Sequence, residues 1–258
     1  ALRFNNQSQF RGPTRPGGHH AFSESSDGGS CSNYWVPYRR TPIGAPTMTD
    51  HNRIKGYAAA LRIENLDTDQ IMPKQFLRGI DKSGLKEGLF YDLRFDEKGQ
   101  LRPDFVLNQR SYANASILIG GSNFGCGSSR EHAVWGLQQF GIRAVIASSY
   151  AEIFYSNAMN NRLLLVTLSP GQVTKLMDDA DDTNRNSIEI NIEEQSVVSH
   201  SIQTHFKMIP RHRQMFLEGL DSIGLSLTHK DKISSFANAY WARYPWLRNV
   251  ASVTRRRL

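Results

Sequence analysis

The sequence predicts an α/β protein in which a mainly parallel sheet is flanked by helices and carries a small antiparallel addition. Two observations lead to this fold class. From residue 115 onward, short apolar runs alternate with helical segments, an order typical of parallel strands joined by crossover helices. After the polar turn at 178–187, short runs follow one another without an intervening helix, which indicates antiparallel strands.

Each element is bounded by a change of hydrophobic period or by turn-forming residues. The expected strands are residues 54–63, 115–120, 144–147, 163–168, 187–192, 196–199 and 205–208. The expected helices are residues 130–140, 150–161, 170–179 and 210–219, with two more between 222 and 244. Residues 81–103 are polar and hold three glycines, so we expect a long connection with little core there.

Composition and charge exclude several classes of protein. The 258 residues are 39% hydrophobic and 21% charged, as in soluble globular proteins. No stretch approaches the roughly 20 apolar residues that a membrane span needs, so we expect no membrane role. The net charge of +7 lies at the chain ends, since residues 48–254 hold 23 basic and 22 acidic residues. Nucleic-acid binding requires a concentrated basic face, so no nucleic-acid partner is expected.

The two cysteines, Cys31 and Cys126, are far apart and lie in different sequence contexts. A disulfide framework is therefore not expected, and a reducing location such as the cytoplasm is favoured. Two thiols are also too few to hold an iron–sulfur cluster. We expect no metal and no cofactor bound by this chain alone.

Three regions follow from the change of composition along the chain. Residues 1–47 lack helical or strand periodicity and are expected to be a disordered extension. Their arginines, serines and few acids also fit a transit peptide, and Met48 is a candidate natural start; these alternatives stay open. Residues 48–244 form the expected folded domain, and residues 245–258 form a basic tail.

The most informative segment is residues 120–132, Gly-Gly-Ser-Asn-Phe-Gly-Cys-Gly-Ser-Ser-Arg-Glu-His. It follows a buried strand and opens a helix, so it lies at the carboxyl end of a parallel sheet, where open α/β proteins bind ligands. Its four glycines allow close approach of the backbone, and the helix N-terminus favours an anion. It matches neither a P-loop nor a dinucleotide-binding pattern.

Ser128 and Arg130 are the candidate functional residues of this loop. Ser128 and Glu131 have the spacing of a capping box, so Ser128 is either a helix cap or a reactive hydroxyl activated by the amides and the helix dipole. Arg130 is unexpected in a first helical turn, and a bidentate carboxylate ligand explains it. A Cys126–His132 nucleophile and base pair is a further alternative, without an apparent third partner.

Four runs in order resemble the small-subunit family of 3-isopropylmalate dehydratase, also called isopropylmalate isomerase, of the aconitase superfamily. They are Leu-Asp-Thr-Asp-Gln-Ile-Met-Pro-Lys-Gln-Phe-Leu at 66–77, Asn-Phe-Gly-Cys-Gly-Ser-Ser-Arg-Glu-His at 123–132, Ala-Glu-Ile-Phe-Tyr-Ser-Asn at 151–157 with Asn160 and Asn161, and Gly-Leu-Asp-Ser-Ile-Gly-Leu at 219–225. The resemblance covers roughly residues 54–236.

The resemblance implies a swivelling β/β/α domain that works with a large subunit holding a [4Fe-4S] cluster. It also implies a hydro-lyase that interconverts 2-isopropylmalate and 3-isopropylmalate, small dicarboxylate hydroxy acids, in leucine biosynthesis. By motif match, Ser128 is the base that takes the substrate proton, Arg130 grips a substrate carboxylate, and Ser129 adds a hydrogen bond. Glu131 and His132 are expected to support the helix end.

Substrate choice is expected to lie in the segment that follows the Asp-Thr-Asp run. Its apolar residues suit an isopropyl group, whereas Arg78 and Lys82 suit a third carboxylate. The specificity residues expected there are Lys74, Leu77, Arg78, Ile80 and Leu85, with Leu89 and Phe90 as further apolar surface. The alternatives are a hydro-lyase for homoaconitate, citramalate or dimethylmalate, or a non-catalytic module that binds a small anion.

Overall fold

A seven-stranded mixed sheet forms the centre of the structure, a computed structural model that describes residues 52–77 and 84–255. Its order is β4-β3-β2-β1-β5-β6-β7. The first four strands are mutually parallel, and the last three pair antiparallel. The strands are β1 (Arg53–Leu61), β2 (Ala115–Gly120), β3 (Ala144–Ala147), β4 (Leu164–Thr167), β5 (Ser187–Asn191), β6 (Ser196–Val198) and β7 (Gln203–His205).

The part of the chain that the structure describes also contains ten α-helices and four 3₁₀ turns. The helices are α1 (Thr68–Ile71), α2 (Leu85–Gly88), α3 (Tyr91–Arg94), α4 (Glu131–Phe140), α5 (Glu152–Asn160), α6 (Pro170–Asp181), α7 (Pro210–Leu217), α8 (Ser222–Leu227), α9 (Lys230–Arg243) and α10 (Val250–Arg255). The 3₁₀ turns are Lys74–Phe76, Val106–Asn108, Arg110–Tyr112 and Pro245–Leu247. None of the described helices has both the length and the apolar character needed to span a bilayer.

The parallel strands lie in the centre of the core. All four residues of β3 are fully buried, as expected of a strand covered by helices on both faces. Helix α4 buries one face through residues spaced three and four apart, namely Ala133, Val134, Leu137 and Phe140. It ends at Gly141, whose φ of +112° closes the last turn in the left-handed conformation.

The predicted α/β class, with a parallel sheet and an antiparallel addition, is confirmed. The last strand is β7 at Gln203–His205 rather than the expected 205–208. A tight turn sets this pairing, because the Ser199 amide donates to the Ile202 carbonyl at 2.9 Å. Phe206 and Met208 then follow the strand and are buried.

The expectation that residues 81–103 contribute little core is wrong. Leu85 is 3% exposed, and Leu89 and Phe90 are fully buried. Helix α4 accepts them because Gly136 has no side chain: an added Cβ would collide with the Met72 methyl group and reach Leu89. The glycines and charges of this stretch obscured the four-residue spacing of its leucines.

Two predicted regions fall partly or wholly outside the described residues. The expected N-terminal extension, residues 1–47, lies outside them, as do Arg78, Ile80 and Lys82. Within the expected basic tail, the structure has the turn Pro245–Leu247 and the helix Val250–Arg255.

Candidate functional site

The loop between β2 and α4 is held from both sides by the loops that follow the neighbouring strands. The Gly125 amide donates to the Leu66 carbonyl at 2.8 Å, and the Thr68 amide donates to the Cys126 carbonyl at 2.8 Å. On the other side, the Phe124 amide donates to the Ser149 carbonyl at 3.1 Å. The loop therefore lies at the carboxyl end of the parallel sheet, as the sequence predicted, and the structure adds that the carboxyl ends of β1 and β3 meet it there.

Two glycines of the loop are required by its backbone. Gly125 and Gly127 have φ values of +76° and +92°, in the region that favours glycine. A Cβ at Gly125 would overlap the Phe154 ring, and one at Gly127 would overlap the Asp67 carboxylate. The glycine-rich sequence thus allows the loop to pack tightly on the two loops beside it.

Ser128 and Ser129 lie at the end of this loop and are exposed. The Ser128 carbonyl accepts a hydrogen bond from the buried Thr68 hydroxyl at 2.9 Å, which fixes the backbone at that point. Helix α4 begins at Glu131, and its N-cap is Arg130 without any side-chain cap. Of the two alternatives for Ser128, the helix cap is therefore wrong, because the helix begins too late for Ser128 to cap it.

Arg130 is held by an acidic residue of the loop that follows β1. Its Nη1 contacts Asp69 Oδ1 and donates to the Met72 carbonyl at 3.3 Å. The Arg130 side chain is 12% exposed, whereas that of Asp69 is 44% exposed. A negative charge beside the guanidinium accounts for a cation at a helix N-terminus, where the dipole alone disfavours it.

Asp69 is the site residue that the sequence reasoning missed. The Asp-Thr-Asp run belongs to the family motif, but the sequence alone assigns no role to its second acid. Asp67 caps helix α1, since its Oδ1 accepts from the Asp69 amide at 2.6 Å while its own amide donates to Gln70 Oε1 at 3.0 Å. That capping box fixes the backbone of Asp69 beside Arg130. The signal in the sequence is Arg130 itself, because a cation at a helix N-terminus is disfavoured unless an acid lies nearby.

Glu131 and His132 contact side chains that hold helices α4 and α5 together. Glu131 Oε1 accepts from Asn161 Nδ2 at 2.5 Å, and Asn161 Oδ1 accepts from Trp135 Nε1 at 2.9 Å. These bonds connect the start of α4 to the end of α5. The His132 ring packs against Trp135 with centroids 4.9 Å apart, and its Nε2 is buried without a hydrogen-bond partner among the described residues.

Cys126 has the surroundings of a neutral thiol. Its Sγ donates to the Asn65 carbonyl at 3.1 Å. Burial, together with the Asp67 carboxylate, raises the pKa of the Cys126 thiol above its ordinary value. A nucleophilic cysteine needs a lowered pKa, and no hydrogen bond joins Cys126 to His132. The described residues also hold no group of three His, Cys, Asp or Glu side chains placed to bind a metal.

The segment expected to set specificity is only partly described. Lys74 is exposed, and Leu77 is half-buried against the core. The expectation that Leu85, Leu89 and Phe90 offer apolar surface to a ligand is not met, because their side chains pack inside the chain's own core.

Comparisons with known proteins agree on one family. Residues 48–171 match the Aconitase C-terminal domain. The chain is 56% identical over 211 residues to the 3-isopropylmalate dehydratase small subunit 1 of Chromobacterium violaceum, covering 82% of this chain and 100% of that protein. It is 47% identical over 201 residues to the 3-isopropylmalate dehydratase small subunit of Caulobacter vibrioides, covering 78% and 99%.

A solved structure supports the same assignment. The crystal structure of 3-isopropylmalate dehydratase from Methanocaldococcus jannaschii matches with a TM-score of 0.52 and 26% identity, covering 72% of this chain and 99% of that one. With a relative 56% identical along its whole length and this shared fold, the chain belongs to the 3-isopropylmalate dehydratase small-subunit family of the aconitase superfamily.

Proposed function

We propose that this chain is the small subunit of a 3-isopropylmalate dehydratase, a hydro-lyase that interconverts 2-isopropylmalate and 3-isopropylmalate by dehydration and rehydration. The observation that carries this proposal is the loop at the carboxyl ends of β1, β2 and β3, where an exposed serine precedes an arginine already paired with an acid. The names of the relatives supply the substrate. The low number of cysteines favours a cytoplasmic location for the protein.

Ser128 is the proposed base. An ordinary serine hydroxyl is too weak a base, so its surroundings must favour the alkoxide. Helix α4 begins three residues later and directs its positive end toward the loop, and the adjacent Arg130 adds a cation. In dehydration the Ser128 oxygen takes the substrate proton, and in rehydration the same hydroxyl returns it.

Arg130 is the proposed ligand of a substrate carboxylate. Only its Nη1 is engaged within the described chain, by Asp69 and by the Met72 carbonyl. The remaining guanidinium nitrogens, Nε and Nη2, can donate the two parallel hydrogen bonds that a carboxylate accepts from arginine. Asp69 then acts by holding the fork in one orientation, and Ser129 adds a hydrogen bond to the substrate.

The partner in this proposal is a large subunit that carries a [4Fe-4S] cluster. The described residues do not fit such a cluster, because they hold one cysteine and no group of metal ligands. We therefore assign the cluster to the large subunit, together with the Lewis-acid chemistry that such a cluster supplies. The chain binds the substrate and moves a proton.

The segment after α1 remains the proposed specificity region, with a smaller set of residues. Lys74, Leu77, Arg78 and Ile80 keep their proposed contact with the substrate side chain. Leu85 is not included, because it packs beside α4 in the core and fixes the C-terminal end of the segment.

The test is turnover by the reconstituted complex. The chain is purified with its cognate large subunit and assayed with 2-isopropylmalate, homoaconitate, citramalate and dimethylmalate. We expect the highest kcat/KM with 2-isopropylmalate. A higher kcat/KM with any of the other three acids would contradict the proposed substrate, and a complex inactive with all four would contradict the proposed reaction.

A further inference from the structure

Helix α9 carries an apolar stripe that the described part of the chain leaves largely exposed. Ile233, Phe236 and Tyr240 recur three and four residues apart, so they share one face of the helix. Ile233 is 54% exposed and Phe236 is 69% exposed, while the neighbouring Trp241 is 37% exposed. None of the 14 residues of the helix is buried.

The aromatic residues of this stripe are ordered against one another rather than against the body of the protein. Tyr240 lies 5.8 Å from Phe236, 5.2 Å from Trp241 and 5.0 Å from Tyr244 between ring centroids. An isolated helix of about 12 to 15 residues is marginal in water, and most helices are stabilised by packing an apolar face. The stripe therefore offers an exposed apolar face that another molecule would stabilise by packing against it.

The charge around the stripe indicates the chemistry of that cover. The described residues 229–255 hold five basic residues and one acidic residue. A second copy of this chain would bring two such segments together, and like charges at an interface disfavour association. An acidic surface complements them. Exposed aromatic residues with arginines nearby are also the residue types enriched at the centre of protein interfaces.

We propose that the apolar stripe of α9, together with the neighbouring Trp241, docks into an apolar groove with an acidic rim on the large subunit. This inference rests on the proposed function, because that function supplies the large subunit as the partner. A lipid surface fits less well: the polar side of the helix holds Asp231, Ser234, Ser235 and Asn238 rather than the row of Lys and Arg typical of interfacial helices.

The first measurement uses the unaltered chain. Amide hydrogen exchange of residues 230–243 is compared for the full chain alone and for its complex with the cognate large subunit. We expect at least tenfold slower exchange in the complex, because the covered helix opens less often. If the complex forms and the exchange rate of residues 230–243 is unchanged, the proposal is overturned. This measurement needs no variant.

The second measurement uses matched variants. Ile233→Ser combined with Phe236→Ser should weaken binding of the large subunit by tenfold or more, as expected for interface anchors. Leu101→Ser is the control, since Leu101 is 55% exposed but lies in the connection after α3. Charge reversal at Lys230 and Lys232 should also weaken binding at low salt and less so at high salt. Equal affinity of the double variant and the control would overturn the proposal.

Turnover separates this inference from the proposed function. At saturating large subunit, the double variant should keep the kcat of the wild-type complex. A complex that turns over 2-isopropylmalate while α9 stays unprotected would refute only the docking surface. A complex that protects α9 but has no turnover would refute only the proposed reaction. Two further outcomes would assign the stripe to another partner and overturn the proposal. One is self-association of the chain alone that the double variant abolishes, and the other is binding to phosphatidylserine vesicles that the double variant abolishes.

Discussion

Arg130 gains its position from a residue 61 places earlier in the chain, and this pairing organises the site. Asp69 supplies the charge that the helix N-terminus cannot, and the Met72 carbonyl accepts a hydrogen bond from the same nitrogen. The guanidinium is therefore held by two points before any ligand binds. In its proposed role as a carboxylate ligand, such preorganisation would reduce the entropy lost on binding.

Arg130→Lys tests whether the planar fork matters. Lysine keeps the charge but cannot pair with Asp69 and with a bidentate carboxylate in the same geometry. We expect kcat/KM of the reconstituted complex to fall by an amount equal to about 2 to 4 kcal/mol, with a raised KM. The control Arg143→Lys changes an exposed arginine just before β3 and should leave kinetics unchanged. Wild-type kcat/KM in the Arg130 variant would contradict the assigned role.

Gly127→Ala tests the backbone of the loop. The positive φ and the overlap with the Asp67 carboxylate both oppose a side chain there. We expect a loss of about 1 to 3 kcal/mol in the free energy of unfolding, measured by denaturant titration. Gly171→Ala is the control, because an added Cβ on α6 meets nothing within 4 Å; it should be neutral or slightly stabilising. Equal stability of the two variants would argue against a strained loop.

At the scale of elements, helix α6 fixes the turn between β6 and β7 through one buried carboxylate. Asp179 Oδ2 accepts from the Ser199 hydroxyl at 2.7 Å, the Ser201 amide at 2.9 Å and the Ser201 hydroxyl at 2.7 Å. Burial alone would raise the pKa of Asp179, but these hydrogen bonds together hold it below its ordinary value. The antiparallel addition is thus anchored to the helical layer.

This anchoring has a defined dependence on pH. Because the pKa of Asp179 is lowered in the fold, its stabilisation is complete above the unfolded value of about 3.9 and is lost as pH falls through the lower folded value. We expect Asp179→Asn to cost about 1.5 to 3 kcal/mol at pH 7, with the Tm difference from wild type shrinking below about pH 4. The control Asp104→Asn removes an exposed charge. A Tm difference for Asp179→Asn that is constant with pH would contradict this account.

The helices and strands differ in how well the sequence predicts their bounds and their burial. Strand β3 was predicted to the residue, because its four apolar residues stand between polar ones. The buried leucines of residues 81–103 are not evident from the sequence, because their burial depends on Gly136, which is distant in the chain and leaves room for Met72 and Leu89. At the site, the loop was predicted from its glycines, whereas the Asp69–Arg130 pair required the fold to bring two loops together.

In the proposed function, the molecule as a whole provides only part of the catalytic site. The described residues offer an exposed serine, an arginine and their supports, but no metal ligand group. We expect the isolated, metal-free chain to show no turnover of 2-isopropylmalate, and activity to appear on addition of the large subunit. Appreciable turnover by the isolated chain would contradict the division of labour between the subunits.

The N-terminal segment is expected to be dispensable for this function. The family match begins at residue 48, and a relative is matched along its full length by 82% of this chain. A chain that begins at Met48 should have the Tm and kcat of the full chain in complex with the large subunit. A shortened chain that failed to fold or to assemble would assign residues 1–47 a structural role.

The proposed role of Ser128 as the base can be decided by measuring kcat and Tm on one Ser128→Ala complex. Loss of a general base lowers kcat by about 10² to 10⁴, and we expect such a fall with little change in KM. Because Arg130 rather than Ser128 occupies the N-cap of α4, Tm should stay close to wild type. Ser129→Ala should mainly raise KM. A Ser128→Ala complex with wild-type kcat, whether destabilised or not, would contradict the claim.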